Sequence, residues 1–222
     1  MKKGLRIIIS IVAIFVLAVM LVSCEFFETN GTDKEEEAPS THASPIHSEA
    51  EELKILVAYF SWSGNLQKMA GWIKDECGAD LFRIEPEDAY SSVYDDTSDR
   101  ARRERNEGIR PTLANSLSNS DMEKYDVILL GFPVWHLDLP MCVESFLTSY
   151  DLSGKTIIPF FSHEGSSDGA RSLSTLSSLC SGSTVKTSSS YYLSIHGDDV
   201  DSSETTVRNW VKALGLSKNR NE

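Results

Sequence analysis

The chain has 222 residues, of which 33 are acidic and 21 are lysine or arginine, and its formal net charge is −12 at pH 7. A nucleic-acid-binding protein is expected to present a basic face, so this composition argues against nucleic acid as a partner. Residues 53–222 are long enough for one domain with its own core.

The N-terminus has the pattern of an export signal. Lys2, Lys3 and Arg6 precede an apolar run of 16 residues, Ile7–Val22, in which Ser10 is the one polar residue. The run ends in "LVSC", which resembles the bacterial lipobox, so we expect residues 1–24 to be a lipoprotein signal peptide with Cys24 as the lipidation site. The protein would then be a lipid-anchored, extracytoplasmic protein of the cell membrane. An uncleaved anchor is the alternative, although the run is shorter than the ~20 residues that span a bilayer.

Residues 25–52 are predicted to be a disordered acidic tether. They contain nine acidic residues and one lysine, together with Pro39 and Pro45, and show no apolar periodicity after Phe27. Such a segment cannot bury enough apolar surface to offset its ordering entropy. We interpret His42 and His47 as solvated tether residues and not as metal ligands.

Three continuous apolar runs in the domain 53–222 predict buried strands, at Lys54–Phe60, Tyr125–Phe132 and Lys155–Phe161. Runs that are apolar on both faces are typical of parallel strands between two helical layers. Weaker strand patterns occur at Ala79–Glu85 and Thr184–Leu193.

Helical periodicity separates these strands, and the alternation predicts an α/β fold, a three-layer doubly wound sandwich with a five-stranded parallel sheet. A charged, weakly apolar helix is predicted between Asp95 and Gly108, and its arginines are interpreted as a solvated face because acidic residues alternate with them. The apolar faces of the other helices are Leu66, Met69, Ala70, Ile73 and Cys77; Val143, Phe146, Leu147 and Tyr150; Leu173, Leu176 and Cys180; and Val207, Trp210, Val211 and Leu214.

A proline and three cysteines bear on the predicted core. Pro159 lies inside an apparently central strand, where it removes a ladder donor, and it predicts a local irregularity or a shortened ladder. With Cys24 lipidated, Cys77, Cys142 and Cys180 remain, so at least one thiol is free. Cys77 is interpreted as a core residue, and the sequence does not decide whether two of the three cysteines form a disulfide.

Small polar residues fill the loop after the first strand, "SWSGN", just before a helix begins. Ligands of doubly wound sheets bind beyond the carboxyl ends of the strands. We therefore predict an anion cradle made of helix N–H groups, the hydroxyls of Ser61 and Ser63 and the amide of Asn65. The loop matches neither GxxxxGK[ST], GxGxxG nor GxSxG, which argues against a P-loop, a dinucleotide site and a hydrolase nucleophile elbow. A serine-rich helix cap without a ligand is the alternative.

Two further strand-end loops are expected at the same edge of the sheet. "GFPVWHLDLP" brings Pro133, Trp135 and His136, and "FFSHEGSSDGA" brings the segment Ser162–Gly165. An aromatic side chain, an anion cradle and a glycine-bearing polar loop around one crevice suit a flat heterocycle with a phosphate tail.

These segments carry a specific resemblance. "YFSWSGNLQKMA", "DVILLGFPVWHLDLPMCVESFL" and "YDLSGKTIIPFFSHEGSSDG" together resemble the flavodoxin family, in particular its branch of flavodoxin-like bacterial lipoproteins, over nearly all of residues 53–216. The segment "YSSVYDD…RARRERNEGIRPTL" is also similar to that branch. The resemblance implies the strand order 2-1-3-4-5 and FMN as cofactor, at the switch between strands one and three.

The resemblance also implies which residues contact FMN. The phosphate would be held by the first loop, the isoalloxazine ring would be bordered by the second, with Trp135 as its aromatic contact, and the pyrimidine side of the ring would lie along the third. The residues are Ser61, Trp62, Ser63, Gly64, Asn65 and Leu66; Pro133, Val134, Trp135 and His136; and Ser162, His163, Glu164 and Gly165.

Three of these positions depart from the family pattern. The family usually has a threonine where Leu66 stands, so one hydroxyl contact to the phosphate, worth ~1 kcal/mol, is missing. Relatives often carry a second aromatic residue where His136 stands, and a glycine pair in the loop that holds Glu164. A carboxylate at this position would disfavour an anionic reduced flavin and lower its reduction potential. His196, near the end of the last strand, is a weaker candidate for the rim.

The flavin would carry the redox chemistry, and no catalytic side chain is predicted. We expect an electron carrier whose acidic surface steers a redox partner protein. A reductase of quinones or other small acceptors is one alternative, and a flavodoxin-fold binding module that has lost FMN is another. The compact domain shows neither a substrate-binding insertion nor a nicotinamide motif, which favours the carrier.

Overall fold

The computed structural model describes residues 53–165 and 167–218. The predicted signal peptide, including Cys24, and the predicted tether lie outside the described residues. Within the described ranges, no helix has the length and apolar character needed to cross a membrane.

A single parallel sheet forms the centre of the domain, with strand order β2-β1-β3-β4-β5 and β6 also paired with β4. The predicted α/β sandwich and its strand order 2-1-3-4-5 are therefore confirmed. The strands are β1 Ile55–Tyr59, β2 Asp80–Arg83, β3 Val127–Pro133, β4 Thr156–His163, β5 Thr184–Val185 and β6 Leu193–His196.

Helices cover both faces of the sheet. Side chains of successive residues in β1 alternate between two separate apolar cores, because a strand points its side chains to opposite faces. One core is packed against α1 and α6, and the other against α4 and α5. The helices are α1 Asn65–Cys77, α2 Tyr94–Glu107, α3 Asn119–Glu123, α4 Met141–Thr148, α5 Ala170–Leu179 and α6 Glu204–Ala213, and a 3₁₀ helix, η1, spans Gly197–Ser202.

The fifth strand is split into two short pieces. β5 pairs with Thr156 and Ile157 at the beginning of β4, and β6 pairs with its end, from Phe160 to His163. The predicted continuous strand Thr184–Leu193 is therefore wrong for residues 186–192, which separate β5 from β6.

Pro159 explains the split. Ile157 accepts a hydrogen bond from Lys186 N–H on the outer side of β4, at 2.9 Å, whereas Thr156 donates to Asp126 on the β3 side, at 2.9 Å. Backbone groups alternate sides along a strand, so Pro159, two residues after Ile157, also faces the side of β4 away from β3. An outer strand would need a backbone N–H from this residue, and proline has none. The expected shortened ladder is confirmed, and it affects the outer side only, since Pro159 keeps its register with Leu130 of β3.

The three described cysteines are buried free thiols in the core. Cys77 lies on the apolar face of α1, as predicted. Burial raises the pKa of Cys142 well above its usual range, and it raises the pKa of Cys180 to about 11.

Candidate functional site

A cavity of about 630 Å³ lies at the carboxyl edge of the sheet, and it brings the three predicted loops together. One wall is formed by the loops after β1, β3 and β4, and the other by α2. The lining residues are Trp62, Ser63, Tyr94, Thr97, Ser98, Ala101, Pro133, Val134, Trp135, His136, Leu137, Ser162, His163 and Glu164. Nine of the fourteen sequence-predicted contacts are among them.

The loop after β1 leads directly into the N-terminus of α1. Gly64 adopts a left-handed conformation with φ 94° at the helix N-cap, and no side chain caps the helix. The first N–H with a partner in the turn is that of Lys68, which donates to Gly64 O at 3.1 Å. The N–H groups of Asn65, Leu66 and Gln67 have no acceptor among the described residues. N–H groups without acceptors and a helix dipole are the features that bind anions at helix N-termini, so this geometry is compatible with the anion cradle, which stays a prediction.

Ser61, before the helix, and Leu66, in its first turn, differ in whether the side chain could contact a bound anion. Ser61 Oγ is buried and has no hydrogen-bond partner among the described residues, so it is free to bind a ligand oxygen. Leu66, in contrast, packs in the core between sheet and helix with only 1% of its surface exposed. Any contact from Leu66 to a phosphate would therefore come from its backbone N–H.

Trp62 closes the first loop against the segment before α2. Its Nε1 donates to Ser91 O at 2.8 Å, and its ring meets Tyr94 edge-on with centroids 6.3 Å apart. The indole therefore has a fixed position between the 630 Å³ cavity and a second cavity of about 430 Å³. Ser61 and Arg83 line the second cavity.

The loop after β3 is a tight turn that presents Trp135 and His136. Trp135 and Asp138 exchange backbone hydrogen bonds of 2.8 and 3.0 Å, and the two central residues, His136 and Leu137, have φ of 48° and 70°. Positive φ at a leucine is strained, so the surrounding structure has to hold the turn in place. At the far side, His136 Nε2 lies 2.9 Å from Ser98 O and joins the loop to α2.

Trp135 packs edge-on against two aromatic rings. Its centroid lies 5.3 Å from that of Phe60 and 5.1 Å from that of Tyr90, with interplanar angles of 87° and 90°. Edge-to-face packing is a favourable aromatic geometry and keeps the indole in one orientation at the cavity wall.

Asp138 anchors the turn Trp135–Asp138 through buried polar contacts. Its carboxylate is 1% exposed and lies 3.0 Å from Arg105 Nη1, 3.2 Å from Arg171 Nε and 3.0 Å from Thr175 Oγ1. Arg105 also donates to the carbonyl of Leu139. The turn is thereby tied to α2 and α5.

The predicted solvated arginine face of α2 is wrong at two positions. The side chains of Arg100 and Arg105 are only 17% and 16% exposed, and each is paired with a buried carboxylate. The Arg105–Asp138 pair holds α2 against the loop after β3, whereas Arg100 pairs with Glu104 of the same helix.

The loop after β4 supplies the third wall. Ser162 is buried and accepts a hydrogen bond from Val134 N–H at 2.8 Å, which joins the second and third loops. His163 Nδ1 accepts from Gly165 N–H at 3.0 Å. Gly165 itself lies outside the cavity, next to the imidazole of His196.

A fourth loop, after β6, reaches the cradle. Asn65 Nδ2 donates to Gly197 O at 3.1 Å, so the asparagine amide is engaged with this loop. A Cβ at Gly197 would overlap Glu164 Oε1. His196 meets His163 edge-on with centroids 5.7 Å apart, which places the weaker candidate His196 at this edge as well.

Comparison with known proteins identifies this arrangement. The flavodoxin family model matches residues 54–214. The chain belongs to the flavodoxin family. No curated protein matches the chain significantly.

Solved structures of other flavodoxin-like proteins are similar to it over the whole domain. A candidate flavoprotein from Bacteroides eggerthii is 28% identical with a TM-score of 0.60, and the match covers 73% of this chain and 98% of the other. A second one, from Bacteroides uniformis, is 28% identical with a TM-score of 0.61 and covers 73% and 99%. A flavoprotein from Lactobacillus acidophilus in complex with FMN is 23% identical with a TM-score of 0.52, covers 68% and 97%, and shows the shared fold.

Five residues that line the 630 Å³ cavity were not among the predicted contacts. Four lie on α2, namely Tyr94, Thr97, Ser98 and Ala101, and the fifth is Leu137 in the strained turn. Thr97 and Ala101 are spaced i, i+4 and are buried in an otherwise charged helix, which is the signal that could have placed this face against the site.

Proposed function

We propose that this protein binds FMN with the ring in the 630 Å³ cavity and the phosphate at the adjoining N-terminus of α1, and that it serves as an electron carrier. The observation that supports it best is the combination at the α1 N-terminus of backbone N–H groups without acceptors and the buried, unpartnered Ser61 Oγ. These donors suit the terminal phosphate of FMN, and FMN as the ligand is supported by the similar flavoprotein from Lactobacillus acidophilus, which was solved in complex with FMN. Bound FMN would accept and release electrons, and no side chain has to react covalently.

The cavity walls suit the isoalloxazine ring. Trp135 and Trp62 are both held by neighbours and both line the cavity, so they offer rigid aromatic surface to a flat ring. Ser162, His163 and Glu164 would border the pyrimidine side. The Glu164 carboxylate disfavours a negative charge on reduced flavin and so lowers the reduction potential.

We further propose that Cys24 carries a lipid and that the domain works outside the cytoplasm at the membrane. The support is the sequence of the N-terminal segment, with its charged start, apolar run and "LVSC" ending. A C24S variant should then move from the membrane fraction to the soluble fraction after cell breakage. Persistent membrane association of C24S would favour an uncleaved anchor.

A reductase of small acceptors is the second candidate, and one observation favours it. The second cavity, of about 430 Å³, lies against the far side of Trp62 and contains Arg83 and Tyr90. A small anionic or planar acceptor could occupy this space near the first loop.

FMN binding is tested by titrating residues 25–222, the chain without the signal peptide and Cys24, with FMN and with riboflavin. We expect quenched flavin fluorescence and shifted absorption bands with FMN at micromolar concentration, and weaker binding of riboflavin because it lacks the phosphate. Absence of FMN binding would contradict the proposal and favour a binding module that has lost the cofactor. Turnover of quinones with a reduced donor would separate the reductase from the carrier.

A further inference from the structure

Three side chains that can bind a metal converge beside the cradle. Glu164 comes from the loop after β4, while His196 ends β6 and Asp198 lies in η1. The ligand atoms of the three residues all lie within 4.8 Å of one another. The group therefore joins two loops that are separate in sequence.

The two carboxylates of this group lack a cation. Among the described residues, no lysine or arginine nitrogen lies within 4.0 Å of Glu164 or Asp198, and His196 Nδ1 lies 3.9 Å from Asp198 Oδ2. The neighbouring Asp201, by contrast, forms an ion pair with Lys68. Two like charges held this close without a counterion favour the binding of a positive ligand.

Gly197 leaves room for the Glu164 carboxylate, since a Cβ at this position would overlap Glu164 Oε1. His196 Nδ1 accepts from Asp198 N–H at 3.3 Å, a long hydrogen bond that a metal ion could replace.

We propose that Glu164, His196 and Asp198 bind one divalent transition-metal ion such as Zn²⁺. One imidazole and two carboxylates form a mixed nitrogen and oxygen donor set that suits Zn²⁺, whereas Mg²⁺ and Ca²⁺ prefer oxygen alone. Three protein ligands leave a coordination position for water. The ion would lie next to Asn65 at the start of α1 and would offset the negative charge at that end of the site.

The test is calorimetric titration of Zn²⁺ into residues 25–222 without flavin, so its result does not depend on FMN binding. The tether histidines are removed in every sample by H42A and H47A. We expect saturable one-to-one binding that H196A and D198N each weaken by roughly 10-fold or more. E164Q should weaken it as well, while retaining a side chain of nearly the same size.

D201N is the matched control, because Asp201 is a nearby acidic residue outside the group. Its Zn²⁺ affinity should equal that of the parent protein, and circular dichroism should show the same fold for all variants. No saturable binding at millimolar Zn²⁺, or equal affinity in H196A and the parent protein, would overturn the assignment.

Discussion

At Gly64, two substitutions of nearly equal size, to aspartate and to asparagine, would test the effect of a negative charge at the N-terminus of α1. The φ of 94° at Gly64 strains any side chain, a strain that asparagine and aspartate share, and a Cβ there would meet no atom within 4 Å. Gly64→Asp and Gly64→Asn therefore differ mainly in charge. A carboxylate about 4 Å from a phosphate costs about 1–4 kcal/mol, so we expect FMN to bind Gly64→Asp roughly 5-fold or more weakly than Gly64→Asn. Fluorescence titration measures both affinities, and equal values would remove this loop from the phosphate site.

Leu137 is the residue that carries the clearest backbone strain. Its φ is 70° and its side chain is 49% exposed, so the strain is not offset by full burial. The left-handed conformation costs an L-residue about 1–2 kcal/mol, which glycine avoids. Leu137→Gly should therefore raise the free energy of unfolding by about 1 kcal/mol in urea denaturation. Leu81→Gly, at an exposed position of β2, should lower it, and a loss of stability at both positions would contradict the strain.

At the scale of elements, the ion pairs of Asp138 decide how α2, α5 and the second loop are held together. Removing the Asp138 carboxylate leaves Arg105 with the Leu139 carbonyl and, among the described carboxylates, only the more distant Glu144 at 3.6 Å. Breaking a buried pair costs about 3–5 kcal/mol, and we expect Asp138→Ala to lose about 3 kcal/mol of stability. Arg102→Ala, which breaks the exposed pair with Asp99 on the same helix, should cost less than about 1 kcal/mol. Equal losses in urea denaturation would show that the Asp138 pairs do not hold these elements together.

The elements also show what the sequence could predict. The strands β1, β3 and β4 are apolar on both faces, and small residues mark the first loop, so the sheet and the convergence of three loops were predictable. The split of the fifth strand was not, because the sequence does not show toward which neighbour Pro159 faces. The α2 wall was missed for a related reason: its position depends on pairs such as Arg105–Asp138, which are 33 residues apart. The contact of Asn65 with Gly197 spans 132 residues and depends on the finished fold.

At the scale of the whole molecule, the negative net charge should favour positively charged redox partners over negatively charged ones. The formal net charge is −12, and Glu164 adds a carboxylate to the cavity lining. Such a surface attracts cationic reactants and repels anionic ones over distances that salt shortens.

If the protein carries electrons through FMN, oxidation of the reduced protein by hexaammineruthenium(III) should slow as salt rises, and oxidation by ferricyanide should accelerate. Raising ionic strength from about 0.01 M to about 1 M shortens the Debye length from about 30 Å to about 3 Å, so both changes should be large in stopped-flow measurements. Comparing each oxidant with itself at different salt removes their difference in driving force. Rates that do not depend on salt would show that electrons leave through a part of the surface with little negative potential. A basic partner protein would then have no kinetic advantage.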